Sequence, residues 1–414
     1  MSGRVHVVGG GLAGLSAAVR LVQKGVRVVL SEAAGQAGGR CRSYYDPTFD
    51  RIIDNGNHLV LSGNRAVQSY LRLIGAAAAL QGPETAAFAF VDLEGGERWT
   101  LRPNAGRLPW WIFSSRRRVP GTTARDYLRY AGLLRKGAGP TIGAAVPCEG
   151  VLWRRLVHPF LKAVLNTEPA EASAALAAAV LRETLAKGGK AYRPRIAQPT
   201  LAMAFVEPAL ALLAAKGAEV RLNRRLRGIS VEGGRAVALD FSGAVESLGA
   251  GDEVVLATPP WVTADLLPAI PAPDEFRAVV NGHFLVPPPK GTPSIMGVIG
   301  GTAEWIFSYS SRIAVTVSAA DAAAGEDREA LAKRLWSDVS RALGMPAALP
   351  PWQIVKEKRA TFAAVPAEAA KRPGTRTFID NLVLAGDWID TGLPATIESA
   401  LRSGEMAAAA LLNR

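Results

Sequence analysis

The chain has 414 residues, with 48 basic and 36 acidic side chains, a formal net charge of +12 and a pI near 10.0. With 49% apolar residues, and with 42 Gly and 27 Pro scattered without a period, it is neither a disordered chain nor a collagen-like or coiled-coil rod, and its length fits two or three structural units. Its two cysteines, Cys41 and Cys148, lie outside any Cys-x-x-Cys or Cys/His cluster, so a disulfide framework is excluded and no zinc site is read, while the charge leaves nucleic acid, an anionic membrane surface and an anionic cofactor open.

Residues 4–8 are a β-branched run ending at glycines, the pattern of a buried parallel strand; 12–24 read as a helix and 26–30 as a second strand, a β-α-β unit. The apolar stretch Val5 to Val22 does not read as a signal peptide: it lacks a basic lead, and its glycines have their own explanation. Residues 64–80 predict a helix with Val67, Leu71 and Ile74 on one face, and 84–102 alternate as strands. Leu108 to Gly121 is aromatic and basic and closes on a Pro-Gly turn. From Ala124 to Leu185 the pattern is helical, with breaks expected at Pro147, Pro159 and Pro169. Its most apolar part, Ala172 to Leu181, is too short to span a bilayer, which takes about 20 residues. A helix at 201–216 precedes strands at 218–231, 235–241 and 252–257, which end at Thr258-Pro259-Pro260. Strands within 276–318, a helix at 326–343, a last strand at 382–385 and a helix at 395–412 complete the chain.

Gly9-Gly10-Gly11-Leu12-Ala13-Gly14 matches G-x-G-x-x-G between a strand and a helix. Gly9 permits the turn, Gly11 admits a pyrophosphate to the backbone, and Gly14 brings helix and strand together, with the positive helix end toward the phosphates. Glu32, closing the second strand, is placed to accept hydrogen bonds from both ribose hydroxyls of an adenosine. Gly38-Gly39-Arg40 follows, a second glycine loop typical of flavoproteins that cradle FAD, in which Arg40 reaches phosphate or the isoalloxazine edge. Far along the chain, Gly386-Asp387 ends a strand and Thr396-Ile397 opens the last helix; Asp387 fits the ribitol or pyrophosphate side of FAD and the helix start fits negative charge on reduced flavin. Leu226, in the stretch 218–229, is placed to contact the adenine through its backbone or to serve as core. The expected architecture is α/β: a discontinuous Rossmann-like FAD-binding domain of residues 1–63, 201–260 and 375–414, with an interleaved α+β substrate domain of residues 64–200 and 261–374.

With those motifs in place, the chain resembles the flavin amine oxidase and carotenoid desaturase superfamily over nearly its full length, and more narrowly the squalene-associated FAD-dependent oxidoreductases of bacterial hopanoid biosynthesis. The narrower likeness is carried by Asp54-Asn55-Gly56-Asn57-His58 and the residues up to Asn64, by Leu165 to Pro169, by Leu181 to Leu185 and by Ala204 to Pro208. The superfamily's Gly-Ala pair after the C-terminal Glu is Ser399-Ala400 here. The resemblance implies that reduced FAD delivers hydride to an allylic alcohol, giving squalene; an amine oxidase or polyene desaturase on the same scaffold is the alternative.

Such a reaction protonates the leaving oxygen and shelters an allylic cation. His58 is the candidate acid, tunable toward neutrality, with Asp54 orienting it or the flavin loop. Asn166 and Thr167 either hydrogen-bond the alcohol or cap a helix ahead of Pro169, and Trp110, Trp111 and Phe113 either line a polyene pocket or belong to an aromatic core. No metal is required and no nucleic-acid motif appears. The electron donor is external, NADPH or a redox partner, since no second dinucleotide motif is present. The protein is expected in the cytoplasm, peripheral on the inner membrane, with Arg116-Arg117-Arg118 and Lys187 to Arg195 toward anionic lipid at about 1 kcal/mol per basic residue.

Overall fold

The computed structural model describes residues 3–134 and 139–413. Residues 1, 2 and 414 of the expected FAD-binding domain, and 135–138 of the expected helical stretch, lie outside the described residues.

The run Arg4–Val8 forms the middle strand of a five-stranded parallel sheet, in the order Glu219–Arg221, Arg27–Ser31, Arg4–Val8, Glu253–Leu256, Leu382–Leu384. Val7 pairs with Leu30 on one side and Val255 on the other, and all three are fully buried, as expected of parallel strands covered on both faces. The connection from Glu219–Arg221 to Glu253–Leu256 is not a helix but a three-stranded antiparallel meander, Leu226–Glu232, Arg235–Phe241 and Ala244–Ser247. Against the other face lie the helices Leu12–Gln23 and Ile397–Leu412. Their backbones nearly touch: a Cβ on Gly404 would lie 2.2 Å from the Ala13 carbonyl oxygen, and Ser16 donates to the Leu401 carbonyl.

A second sheet has seven strands, in the order Trp352–Phe362, Phe276–Phe284, Ile313–Val317, Trp305–Ser308, Ile295–Ile299, Phe88–Asp92, Arg98–Leu101. The helix Arg328–Leu343 covers one face with Leu331, Leu335, Trp336 and Val339. Asp327 starts it by accepting the Ala330 N–H at 2.9 Å, and Gly344 ends it in the left-handed conformation. The opposite face buries Phe90, Trp99, Trp111, Trp305 and Phe307.

Two expectations need correction. Pro159 does not break its helix: helical backbone runs from Gly150 to Leu165, with a π-helical turn, Trp153–Val157, immediately before it. The same device, Ala202–Val206, precedes Pro208. A widened turn shifts the hydrogen-bond register where proline has no N–H to give, so the chain passes through without stopping. The eleven-residue strand Trp352–Phe362 has no counterpart in the sequence reading, because its middle, Lys356-Glu357-Lys358-Arg359, is charged and masks the alternation. Among the described residues, no helix is long and apolar enough to cross a membrane.

Candidate active site

The carboxyl ends of the parallel strands meet at one crevice, where open α/β sheets bind ligands. Gly9 follows Val8, Glu32 follows Ser31 and Gly386 lies two residues past Leu384. A Cβ on Gly14 would sit 1.9 Å from the Gly9 carbonyl oxygen, so only glycine lets the helix start this close to the strand. At Gly11 the opposite holds: an added Cβ meets no atom within 4 Å. That open face, at the start of a twelve-residue helix running from Leu12 and Ala13 onward, is room for a pyrophosphate. The second loop closes over the first: the Gly38 N–H donates to the Gly10 carbonyl at 2.8 Å, and Gly38, at φ 109°, takes a conformation that disfavours side chains. Gly39 lies against the Cα of Gly11.

Glu32 accepts the N–H of Gly10 at 2.7 Å and of Ala34 at 2.8 Å, one on each oxygen. These bonds aim the carboxylate and leave further lone pairs for ribose hydroxyls. The bend that follows Glu219–Arg221 backs onto it, with the Arg224 N–H on the Glu32 carbonyl. Leu226, two residues on, has its side chain in the core with Phe241, so only its backbone remains for an adenine.

Arg40 donates to Asp387 Oδ1 at 2.7 Å and to the Ala360 carbonyl. This joins the second glycine loop, the last parallel strand and the edge of the seven-stranded sheet. Behind Asp387, the Gly386 N–H donates to Ser403, and Trp388 donates to the Thr258 carbonyl at 2.9 Å. Thr396 caps the last helix by accepting the Ser399 N–H, which sets the amide groups from Ile397 onward at its positive end. Buried Glu398 steadies that helix by accepting the N–H groups of Ala66 and Val67, both at 3.0 Å. These residues fit an FAD: an open face for the pyrophosphate, an acid for the ribose, and a cation and a helix start for the flavin.

The block from Asp54 to His58 lies between this cradle and the second sheet. Asp54, fully buried, takes Ser43 and the Leu201 N–H on one oxygen and Arg312 at 3.3 Å on the other. Asn55 donates to Glu357, and Asn57 bonds to Asn281 and Thr316. Arg312 stacks over Tyr309, its guanidinium carbon 3.6 Å from the ring centre. None of Asn281, Tyr309, Arg312, Glu357 or Ala360 was singled out from the sequence; each lies on a strand or turn brought in from over 200 residues away. Asp54 makes no bond to His58, which corrects the expectation that it orients the imidazole. Within the block, His58 alone keeps a polar side chain without a partner: it is half-buried and makes no hydrogen bond with a described residue.

Burial, and then the Arg40 charge, push the His58 imidazole down to about 4, not toward neutrality as expected. His283, beneath the same block, is pushed down to about 3 by burial and by Arg312, which a contact with the Asp54 backbone offsets only in part. Both are neutral when folded at pH 7, whereas in the unfolded chain they protonate near 6.5. The unfolded state therefore binds more protons below that point. Stability is intact above about pH 6.5 and falls toward pH 4, by up to about 1.4 kcal/mol per pH unit for each group. Urea midpoints measured from pH 7 to 4.5 should decline in the parent and decline less in His283→Leu.

The remaining expected site residues fall elsewhere. Asn166 ends the helix His158–Leu165 in the left-handed conformation; its carboxamide holds Thr361, the Arg277 carbonyl and the Ala319 N–H. Thr167 accepts the Ala364 N–H. Both fasten the helix end to the second sheet, and both are buried there. Trp111 is core, edge-on to Tyr127 at 5.1 Å. Trp110 and Phe113 are 65% and 62% exposed, because the 3₁₀ turn Trp110–Phe113 sets positions three apart on one side. Neither lines the cleft of about 500 Å³ between Arg102 and Ile196.

The sequence profile of the family described as flavin containing amine oxidoreductase matches residues 12–412. The chain is 51% identical over 409 residues to the hydroxysqualene dehydroxylase of Rhodopseudomonas palustris, covering 99% of this chain and 98% of that one. It is 49% identical over 403 residues to the protein of the same name from Zymomonas mobilis, covering 97% of each. Among solved structures, cyclohexylamine oxidase from Brevibacterium oxydans superposes with a TM-score of 0.72 at 16% identity over the whole of both chains. An oxidoreductase from Methanosarcina mazei does so at 0.72 and 13% identity, over 99% of this chain and all of that one. At such identities the likeness is one of fold.

Proposed function

The chain belongs to the family of flavin-containing amine oxidoreductases, and we propose that within it this enzyme removes the hydroxyl group of hydroxysqualene to give squalene, as the name of its full-length relatives implies, and that the step serves bacterial hopanoid biosynthesis. Its cofactor is FAD, held by Gly9, Gly11, Gly14, Glu32, Gly38, Gly39, Arg40, Asp387 and the helix start at Thr396-Ile397. When reduced and bound there, FAD supplies a hydride to the carbon that loses its oxygen. The division into FAD-binding segments 1–63, 201–260 and 375–414 and substrate segments 64–200 and 261–374 belongs to this reading.

The observation that carries the reading is that Asp54, Asn55 and Asn57 are all tied to the protein, while His58 keeps a free imidazole at the seam between cradle and sheet. The alcohol takes up one proton, leaves as water, and its carbon takes one hydride. His58 holds that proton at a ring nitrogen and passes it to the leaving oxygen. Arg40, fixed by Asp387, keeps positive charge beside the flavin position. Electrons come from an external donor, NADPH or a redox partner, and neither a metal nor nucleic acid takes part. The substrate and product are apolar isoprenoids, so the enzyme works in the cytoplasm, peripheral on an anionic inner-membrane surface.

Anaerobic mixing of pre-reduced enzyme with hydroxysqualene should form squalene and restore the oxidised-flavin absorbance. Bleaching of oxidised flavin by an amine or a polyene, with no reaction of hydroxysqualene, would overturn the reading in favour of an oxidase or desaturase. In the same single-turnover experiment, His58→Asn should slow reoxidation by about 10²- to 10⁴-fold, the usual range for a positioned acid. The parent rate should fall as pH rises above about 4, since protonated His58 is then depleted, and the variant should show no such slope. Unchanged reoxidation in His58→Asn removes the imidazole from the proton path.

A further inference from the structure

The 3₁₀ turn that exposes Trp110 and Phe113 also leaves Leu108 63% exposed, and Leu128 on the neighbouring helix Ala124–Arg129 is 57% exposed. Trp110 and Phe113 touch each other with ring centres 6.2 Å apart and are otherwise open. Beneath them the turn is rigidly built. Asn104 donates to the carbonyls of Gly106 and Leu108 and accepts the Trp111 N–H, and Arg118 donates to the Ile112 carbonyl. A protruding apolar tip on a braced turn differs from a loosely packed loop.

The segment that carries the tip holds unbalanced positive charge. From Arg102 to Leu134 the chain carries seven arginines and one acid, Asp126. Several arginines elsewhere are paired: Arg155 with Asp92 and Glu97, Arg221 and Arg224 with Glu246, Arg402 with Glu183. By contrast Arg102, Arg107, Arg116, Arg117, Arg125 and Arg129 are exposed and form no ion pair among the described residues. Lys190 is exposed alongside, because the N–H groups of Gly189 and Lys190 donate to the carbonyls of Asn104 and Ala105. Of the other basic residues expected to face lipid, Arg193 and Arg195 donate to the carbonyls of Glu84 and Pro83.

The tip adjoins a cleft. The Arg102 N–H donates to the Arg117 carbonyl at 3.0 Å, and Arg102 also lines a cleft of about 500 Å³ whose walls include Pro83, Ala87, Ala89, Ile196 and Ile295. Ile196 pairs in register with Leu59, the residue after His58.

We propose that this face docks on an anionic phospholipid bilayer: Leu108, Trp110 and Phe113 enter the headgroup–acyl boundary, the surrounding arginines hold anionic headgroups, and the cleft beside Arg102 takes the apolar substrate from the lipid toward His58. A tryptophan with neighbouring apolar side chains inside a basic ring matches the chemistry of the membrane interface, where an aromatic ring sits at headgroup depth and cations meet anionic lipid. Only the last clause, what enters the cleft, rests on the proposed function; docking stands on the surface itself.

The test uses the FAD-loaded protein and phosphatidylcholine vesicles with and without about one-third phosphatidylglycerol. The protein should sediment with the anionic vesicles. Lipid brominated on its acyl chains should quench part of the fluorescence, and Trp110→Phe should remove that quenched part among the nine tryptophans. Leu108→Ser/Phe113→Ser should bind at least about tenfold more weakly while keeping its FAD absorbance and thermal midpoint. Arg116→Gln/Arg117→Gln should lessen the preference for anionic lipid and leave the residual quenching of Trp110. Equal quenching in parent and Trp110→Phe, or undiminished sedimentation of Leu108→Ser/Phe113→Ser, overturns the proposal. So does a parent dimer that this double variant dissolves, since the tip would then be an interface between copies. Vesicle binding is read without substrate. Normal docking with no squalene formed would therefore count against the proposed reaction and not against the surface.

Discussion

Gly11→Val is expected to fold like the parent chain and to lose FAD. The backbone at Gly11 is extended, at φ −72° and ψ 177°, which any residue adopts, and an added Cβ meets no atom within 4 Å. The apoprotein should therefore keep its thermal midpoint. The added methyl groups occupy the space through which a pyrophosphate approaches the helix start, so affinity for FAD should drop at least about hundredfold, roughly 2.7 kcal/mol. Flavin absorbance after gel filtration and titration of the apoprotein with FAD measure this. Gly14→Val, in the same motif, should instead fail to fold, because its Cβ would sit 1.9 Å from the Gly9 carbonyl oxygen. The contrast separates a glycine required by the ligand from one required by packing. A Gly11→Val protein with full FAD content would place the pyrophosphate elsewhere.

The second large effect is expected at Asp54. Removing one partner of a buried ion pair leaves an uncompensated charge and typically costs about 3–5 kcal/mol. Here the two removals should differ. Asp54→Ala strands Arg312, which cannot give up its proton, and also deprives Ser43 and the Leu201 N–H of their acceptor. Arg312→Leu strands a carboxylate whose pKa burial already raises, so Asp54 can escape by taking a proton. With its folded pKa raised, the stability of Arg312→Leu should be best retained at low pH and lost as pH rises through that value. Asp54→Ala should show no such recovery. Urea unfolding followed across pH 5 to 8 reads both. Equal losses with the same pH dependence would mean that the pair is not the element holding the block to the second sheet. Because the Leu201 N–H and Arg312 belong to different parts of the chain, Asp54→Ala should also loosen the seam that positions His58.

Most of the cofactor cradle was legible because it is local. Gly9 to Gly14 span the turn from a five-residue strand into a twelve-residue helix, Glu32 follows the end of the next strand, and Thr396 directly precedes the helix it caps. Spacing along a short stretch sets the geometry of such elements. The surroundings of His58 were not legible in the same way. Arg40 reaches Asp387 and Ala360 across more than 300 residues, and Asn57 reaches Asn281 across 224. The strand carrying Ala360 and Glu357 hides in a charged run, and an 11-residue edge strand with one solvated face need not alternate cleanly.

The aromatic segment shows the same divide. Trp110, Trp111 and Phe113 are equivalent by composition, and the sequence left open whether they form a pocket or a core. A single 3₁₀ turn buries Trp111 against Tyr127 and turns the other two outward. Asn166 likewise read either as a ligand for an alcohol or as a cap, and three hydrogen bonds to distant backbone and side-chain groups make it a fastener.

The sequence by itself determined the family, the glycine motif of the proposed FAD cradle and an excess of twelve positive charges, because glycine spacing, a strand-ending acid and a charge count do not depend on how remote segments meet. Only the tertiary structure decided where that charge goes. It paired arginines such as Arg155, Arg221 and Arg402 with acids and left those of residues 102–129 without an ion pair among the described residues, on the segment that carries Leu108, Trp110 and Phe113. It also decided that Asp54 binds Arg312 and not His58, since burial makes a carboxylate take the nearest cation that the folded chain brings within reach.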